Sequence, residues 1–156
     1  MVKTNALRQL DTAGIKYETV EYEVDESDLS GLHIASVNNL DREKVFKTLV
    51  THGDGGVFVF CIPVAEELDL KKCAAASGQK KIDMIHVKEL MGLTGYMRGG
   101  CSPVGMKKKY PVFIDETAQL FDKIYVSAGQ RGLQMYLSVK DLAAFINASF
   151  ADLTRI

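Results

Sequence analysis

Apolar positions recur along this chain with two different periods. Near the start, Ala6, Leu7, Leu10 and Ala13 follow the spacing of one helical face, with Thr4 as the cap residue and Gly14 as the stop. The segment KYETVEYEV, 16–24, carries Tyr17, Val20, Tyr22 and Val24 and reads as a strand. The polar loop DESDLSG then precedes a helix whose apolar positions are Leu32, Ile34, Val37 and Leu40, and Asp41 opens another turn. Two β-rich runs, VFKTLVT (45–51) and VFVFCIP (57–63), flank HGDGG and predict a hairpin. Asp69 caps a helix through Cys73 and Ala76 that Gly78 ends. KIDMIHV predicts a short strand, and VKELMG a short helix closed by Gly92. YPVFID (110–115), KIYVSAG (123–129) and LQMYLS (133–138) read as three more strands. Ser138 and Asp141 form a capping box for a last helix through Ala144, Phe145 and Ala148, and ADLTRI predicts a terminal strand.

Nothing along the chain reads as a linker, a repeat or a low-complexity segment, so residues 1–156 are expected to form a single domain. The interleaved strands and helices favour an α+β fold over a doubly wound one. The expected core is a mixed, largely antiparallel sheet surrounded by helices, with enough short strands to curl into a barrel.

Composition narrows the chemistry. Hydrophobic residues make up 47% and charged residues 25%, with a net charge of −1, so an anionic partner must be met by a local patch. Three cysteines without C-x-x-C spacing argue against a disulfide framework or a zinc site and fit a reducing compartment. His33, His52 and His86 show no metal-ligand spacing, so neither metal nor cofactor is expected. The N-terminus lacks a signal-peptide core and no apolar run reaches membrane-spanning length, which reads as a soluble, cytoplasmic protein.

Three segments could carry chemistry. In VFKTLV, Lys47 shares a strand face with Val45 and Leu49, and Thr48 lies on the other. A lysine there suits a buried ligand contact; an edge-strand lysine that discourages sheet pairing is the alternative. GYMRGGCSPVG, 95–105, has neither nucleotide-binding glycine fingerprint. Gly99-Gly100 would let backbone N–H groups face a carbonyl or phosphate oxygen, and Pro103 would hold Ser102 extended. A tight surface turn is the alternative. VSAGQRG, 126–132, offers the Ser127 hydroxyl and the Arg131 guanidinium beside Gly129 and Gly132, and is also a natural hairpin turn. Cys61 and Cys73 read as core, whereas backbone donors around Cys101 could lower its pKa. Lysine pairs at 71–72 and 80–81, the run Lys107, Lys108, Lys109, and Arg131 could meet a polyanion through its phosphates, or form a solvated face. No G-x-S-x-G elbow is present.

FKTL (46–49), TGYMRGGCSPVGMKKK (94–109) and IYVSAGQRGL (124–133), with LDLKK (68–72) and the N-terminal helix and strand, resemble the YbaK/EbsC family. These are freestanding aminoacyl-tRNA editing domains related to the editing insertion of bacterial prolyl-tRNA synthetases. The resemblance implies a barrel-like mixed sheet and release of an amino acid wrongly attached to tRNA. It makes Lys47 the key lysine, with Thr48 after it. Gly99, Gly100, Cys101, Ser102, Pro103 and Gly105 fall in the substrate loop, Ser127, Gly129, Arg131 and Gly132 in the strand-end motif, and Tyr22 at a pocket tyrosine. Threonine after the lysine and serine in the VS-x-G segment resemble the branch that deacylates Cys-tRNA(Pro). The chain departs from that branch at Ser30, where phenylalanine is usual, at Gln134, often acidic, and at Cys101, usually aliphatic. The last departure argues against Cys101 as a nucleophile.

That resemblance implies a substrate-assisted route in which the substrate thiol attacks its own ester carbonyl and leaves as a cyclic thioester. The loop glycines, Gly100 among them, would polarise the carbonyl through backbone N–H groups. Lys47 would position the terminal adenosine or stabilise developing charge, and Thr48 and Ser127 would hydrogen-bond the amino acid or ribose. Lys107, Lys108, Lys109 and Arg131 would hold the acceptor stem, and prolyl-tRNA synthetase would supply tRNA identity. A deacylase for another small amino acid such as alanine, and a non-catalytic tRNA- or synthetase-binding module, are the rival readings. Oligomeric state is left open.

Overall fold

The Asp54-Gly55 turn closes a hairpin that organises the domain. In the computed structural model, which describes residues 3–156, β2 (Phe46–Gly53) and β3 (Gly56–Pro63) pair antiparallel in unbroken register from Phe46–Pro63 to Gly53–Gly56. The hairpin is apolar on both faces because both are covered. Phe46, Val50, Val59 and Cys61 enter the main core, while Phe58, Phe60 and Ile62 enter a second core that includes Cys73 and Ala74 of the third helix. The hairpin is the centre of a five-stranded sheet, β4-β2-β3-β5-β8, completed by β4 (Asp83–Met84), β5 (Val112–Asp115) and β8 (Ser149–Ala151). β3–β5 and β5–β8 run parallel, so the sheet is mixed. Buried Asp115 ties the C-terminal segment down by accepting the Leu153 N–H at 3.0 Å.

A second sheet, antiparallel throughout, has the order β1-β7-β6, with β1 (Tyr17–Glu21), β6 (Lys123–Gln130) and β7 (Leu133–Ser138). The two sheets meet at a parallel bridge between Val45 and Tyr125, reinforced by the Tyr125 N–H donating to the Lys44 carbonyl at 2.8 Å. Two residues further along each strand stand Lys47 and Ser127. This joint positions the site.

The caps act as their residue types require. Thr4 accepts the Leu7 N–H to start α1 (Asn5–Ala13), Ser30 accepts from His33 for α2 (Gly31–Val37), and Asp69 accepts from Lys71 and Lys72 for α3 (Leu70–Ser77). Ser138 does the same for α5 (Val139–Phe145). Helix α4 (Val87–Thr94) runs through Gly92 and stops at Gly95, whose φ of 84° ends it where Gly92 was expected to. Strand β1 ends at Glu21, short of Val24, and the last helix ends before Asn147, which turns left-handed at φ 52°. The terminal strand is Ser149–Ala151; beyond it Thr154 only bridges Leu68. A short tight helix, Glu116–Leu120, is an addition that the periodicity did not show. The side chain of Val37 lies outside the described set. Among the described residues no helix is long and apolar enough to cross a membrane.

Candidate functional site

A cavity of about 660 Å³ opens where β2, the loop before α2, helix α4 and the glycine segment converge. Lys47, Thr48, Gly99, Cys101 and Ser127 all contribute to its wall, so residues far apart in sequence meet here. Arg98, Gln134 and the Met84–Val87 segment line it too.

Strand alternation explains how the polar groups are presented. Val45, Lys47 and Leu49 share one face of β2, and across the joint that face continues through Tyr125 and Ser127 of β6 to Gln134 and Tyr136 of β7. The opposite faces of β6 and β7 are filled by Val126, Ala128, Leu133 and Met135, all essentially inaccessible. Lys47 is half-buried, and burial pulls its pKa below the ordinary lysine value, with Glu67 and then Glu66 opposing that shift. The Thr48 hydroxyl lies 3.7 Å from the Cys61 sulfur. Ser127 Oγ accepts the Gly129 N–H at 3.2 Å, across a bulge that separates Ser127 from Gln130.

The glycines serve a purpose other than the expected one. A Cβ on Gly100 would lie 2.9 Å from the Arg131 nitrogen and 3.0 Å from the Gln130 carbonyl carbon, so the approaching backbone is the protein's own. Gly100 does not line the cavity, and its N–H already donates to the Met97 carbonyl at 2.9 Å. The expectation of an oxyanion-type donor at Gly100 is therefore corrected. The N–H groups of Gly99 and Cys101, by contrast, have no acceptor among the described residues. Gly129, at φ 97°, makes room for the Tyr96 ring, which would sit 2.9 Å from a Cβ there. The Arg131 Nε–H donates to the Arg98 carbonyl at 2.7 Å, which latches the two glycine segments together.

Other expected contacts fall elsewhere. Ser102 is fully buried, its Oγ accepting the Val104 N–H at 3.2 Å, and Pro103 is buried beside it; both shape the loop without lining the cavity. Tyr22 lies in a separate acidic hollow with Glu23, Asp25 and Glu26, and its N–H donates to the Gly132 carbonyl. Lys107, Lys108 and Lys109 are exposed just beyond the glycine segment, and the Lys107 N–H anchors to the Thr94 carbonyl.

Cys101 is the clearest electrostatic correction. Burial pushes its thiol up to about 12, with Cys61 adding to the rise and Thr94 opposing it, so backbone donors do not activate it. Cys61 and Cys73 are likewise pushed up to about 12 by burial. A thiol reagent at pH 8 is expected to leave all three cysteines of the folded protein unmodified over minutes and to label all three in denaturant. Rapid labelling of native Cys101 would contradict the assignment.

Arg98 and Gln134 entered the site without having been singled out as site residues. Arg98 had no periodic signal in its loop. Gln134 alternates with apolar Leu133, Met135 and Leu137 as an ordinary half-polar strand would, so nothing local marked it; its pairing with Ser127 brings it to the site.

Residues 33–145 match the family model described as an aminoacyl-tRNA editing domain. The chain is 44% identical over 153 residues, 97% of its length and 93% of the relative's, to the Enterococcus faecalis protein named "Putative Cys-tRNA(Pro)/Cys-tRNA(Cys) deacylase EbsC". It is 24% identical over 112 residues, 71% of each chain, to the uncharacterized protein YwhH of Bacillus subtilis. A solved structure described as "a putative trans-editing enzyme for prolyl tRNA synthetase" superposes with a TM-score of 0.85 at 25% identity, over the whole of both chains.

Proposed function

The chain belongs to the aminoacyl-tRNA editing domain family, and from that premise we propose that its cavity releases cysteine esterified to tRNA, with Cys-tRNA(Pro) as the substrate. The observation that carries this reading is that Lys47 and Ser127, each two residues beyond the Val45–Tyr125 bridge, line one cavity to which Thr48 also contributes. Together they are a set of hydrogen-bond donors suited to an ester carbonyl and a ribose. The cavity lacks an activated protein nucleophile: no histidine is in the wall, and its one thiol, Cys101, is held protonated.

A substrate that brings its own nucleophile needs only to be held. The cysteine sulfur attacks the ester carbonyl carbon, forming the S–C bond. The C–O bond to the ribose breaks, the thiol proton passes to the departing ribose oxygen, and a cyclic thioester leaves. No water is consumed. Lys47 faces the oxygen on which charge develops, and its position in a half-dry wall strengthens that interaction over one in bulk water. Gly99 and Cys101 line the cavity with backbone N–H groups free of a protein acceptor among the described residues, and one of them would supply a second contact to that oxygen. Thr48 and Ser127 orient the ribose and aminoacyl group, so intramolecular proximity supplies much of the rate. Exposed Lys107, Lys108 and Lys109, outside the cavity, suit the acceptor-stem phosphates. A site that meets only the acceptor end takes tRNA identity from a partner, and prolyl-tRNA synthetase fits that role, in the cytoplasm where charged tRNA is used.

The test is release of labelled cysteine from Cys-tRNA(Pro) by catalytic amounts of the protein, followed beside tRNA binding. Multiple turnovers are expected. Saturable binding of the charged tRNA without release would assign a binding module in place of an enzyme.

A further inference from the structure

Among the described residues one buried side-chain oxygen or nitrogen has no hydrogen-bond partner: Oε1 of Gln134. Gln134 is 4% exposed, lies on the second strand of the site, and lines the cavity. An unpartnered buried amide oxygen is costly and calls for a partner from outside the protein, an ordered water or a ligand, and its place in the cavity wall favours a ligand.

The surrounding groups define what that ligand must offer. Lys47, Arg98, Thr48 and Ser127 all bring N–H or O–H donors to the cavity. Ser127 Oγ already accepts from Gly129. The carboxylate in the wall, Asp28, accepts the Ser30 N–H at 3.1 Å and faces His33 at 3.7 Å. Asp28 is 49% exposed and solvated, so the buried acceptor left without a partner is Gln134. An aminoacyl ester carries one strong donor that the other wall groups leave unmatched, its α-ammonium group. Gln134 pairs across the strands with Ser127, one strand further from Lys47, and the α-carbon links the amine directly to the ester carbonyl. A single substrate can thus place its amine on Gln134 while its carbonyl meets the Lys47–Ser127 side. The last torsion of glutamine is soft and nearly two-fold, so the amide oxygen can turn to a donor in the cavity without backbone movement.

Resting on the deacylase reading above, we propose that Gln134 is a specificity-determining residue whose side-chain oxygen accepts a hydrogen bond from the substrate's α-amino group. A neutral acceptor binds the amine in either protonation state, and it rejects acyl esters that have no amine by leaving itself unpaired.

The experiment compares Cys-tRNA(Pro) with the same tRNA carrying a mercaptopropionyl ester, which keeps the thiol and lacks the amine. Wild type is expected to favour the cysteinyl ester in kcat/KM by about 10- to 100-fold, the range of a hydrogen bond to a charged group. In Gln134→Leu, and in the unbranched Gln134→Met, that ratio is expected to collapse toward unity. Both variants are expected to melt no lower than wild type, because an apolar end removes the unpaired oxygen. A ratio unchanged by either substitution overturns the proposal. So does a lower melting temperature in both variants, which would mean that Oε1 has a partner within the protein. Equal release of the two esters by wild type overturns this inference alone, whereas release of neither overturns the deacylase reading and this inference with it.

Discussion

Lys47→Met is expected to abolish deacylation and yet yield a protein that melts at a higher temperature than wild type near neutral pH. The two effects share one cause. Lys47 stands half-buried on a face shared with apolar Val45 and Leu49, and burial lowers its pKa despite the attraction of Glu67 and Glu66. A lysine that binds its proton less tightly when folded costs stability at every pH below its folded pKa. That cost shrinks as pH rises from the folded pKa toward the unfolded value of 10.5. Methionine has similar reach and no charge to desolvate, so its advantage should be largest at neutral pH and fade on the alkaline side. Removing a single stabiliser of a developing oxyanion typically costs about 10²- to 10³-fold in kcat. The wild-type rate should also fall on an alkaline limb below 10.5, as Lys47 loses its proton. Lys47→Arg keeps its charge there and should lack that limb, whatever its absolute rate. Initial rates against pH, with thermal melts at pH 7 and pH 9, check all three expectations. A Lys47→Met variant within tenfold of wild type would remove the lysine from the chemistry.

The second large effect concerns Gly100, where a single methyl group is expected to unlatch the site. A Cβ at Gly100 meets backbone atoms of Gln130 and Arg131 at 2.9–3.2 Å, and backbone cannot swing aside as a side-chain tip can. Gly100→Ala should therefore push the 97–103 loop away from the 127–132 segment. The Arg131–Arg98 bond would be lost, and Gly99 would be displaced from the cavity wall. Overpacking of this kind costs about 1–3 kcal/mol, readable as a lower urea midpoint, and deacylation should fall at least as steeply. Gly92 supplies the control. It lies within α4 with nothing inside 4 Å of a Cβ, so Gly92→Ala is expected to stabilise by about 0.5–1 kcal/mol. Equal effects of the two substitutions would show that the loops are not tightly docked.

The contrast between these glycines shows what could be read from the chain. Short-range rules succeeded where the determinants are local. Thr4, Ser30, Asp69 and Ser138 cap the helices that their residue types suggest, and Asp54-Gly55 turns the hairpin. The parallel neighbours of β3 and β5, and the bridge from Val45 to Tyr125, depend on partners far away in sequence, which no local pattern encodes. The same division runs through the site. Lys47 and Ser127 were legible because a charged or hydroxyl residue breaks an apolar strand. The crowding at Gly100 was not, because a glycine reports that something comes close without saying whether it is ligand or protein. Tyr22 read as a strand residue and, by resemblance, as a pocket tyrosine, whereas β1 ends one residue before it and it lies in a separate acidic hollow. Cys101 looked activated among backbone donors, and the cost of burial outweighs them.

The central claim is that the substrate's own thiol performs the cleavage in a cavity that only holds and polarises the ester. The measurement that reaches it most directly is the initial rate of release of cysteine, serine and alanine from the same tRNA(Pro) by wild-type protein. Cysteine is expected to be released at least about 10³-fold faster than either of the others, above the roughly 10- to 200-fold that a pocket extracts from one small group. Such a ratio requires chemistry. Release of alanine at a rate comparable to cysteine would contradict the claim and assign the cavity to an enzyme that uses water.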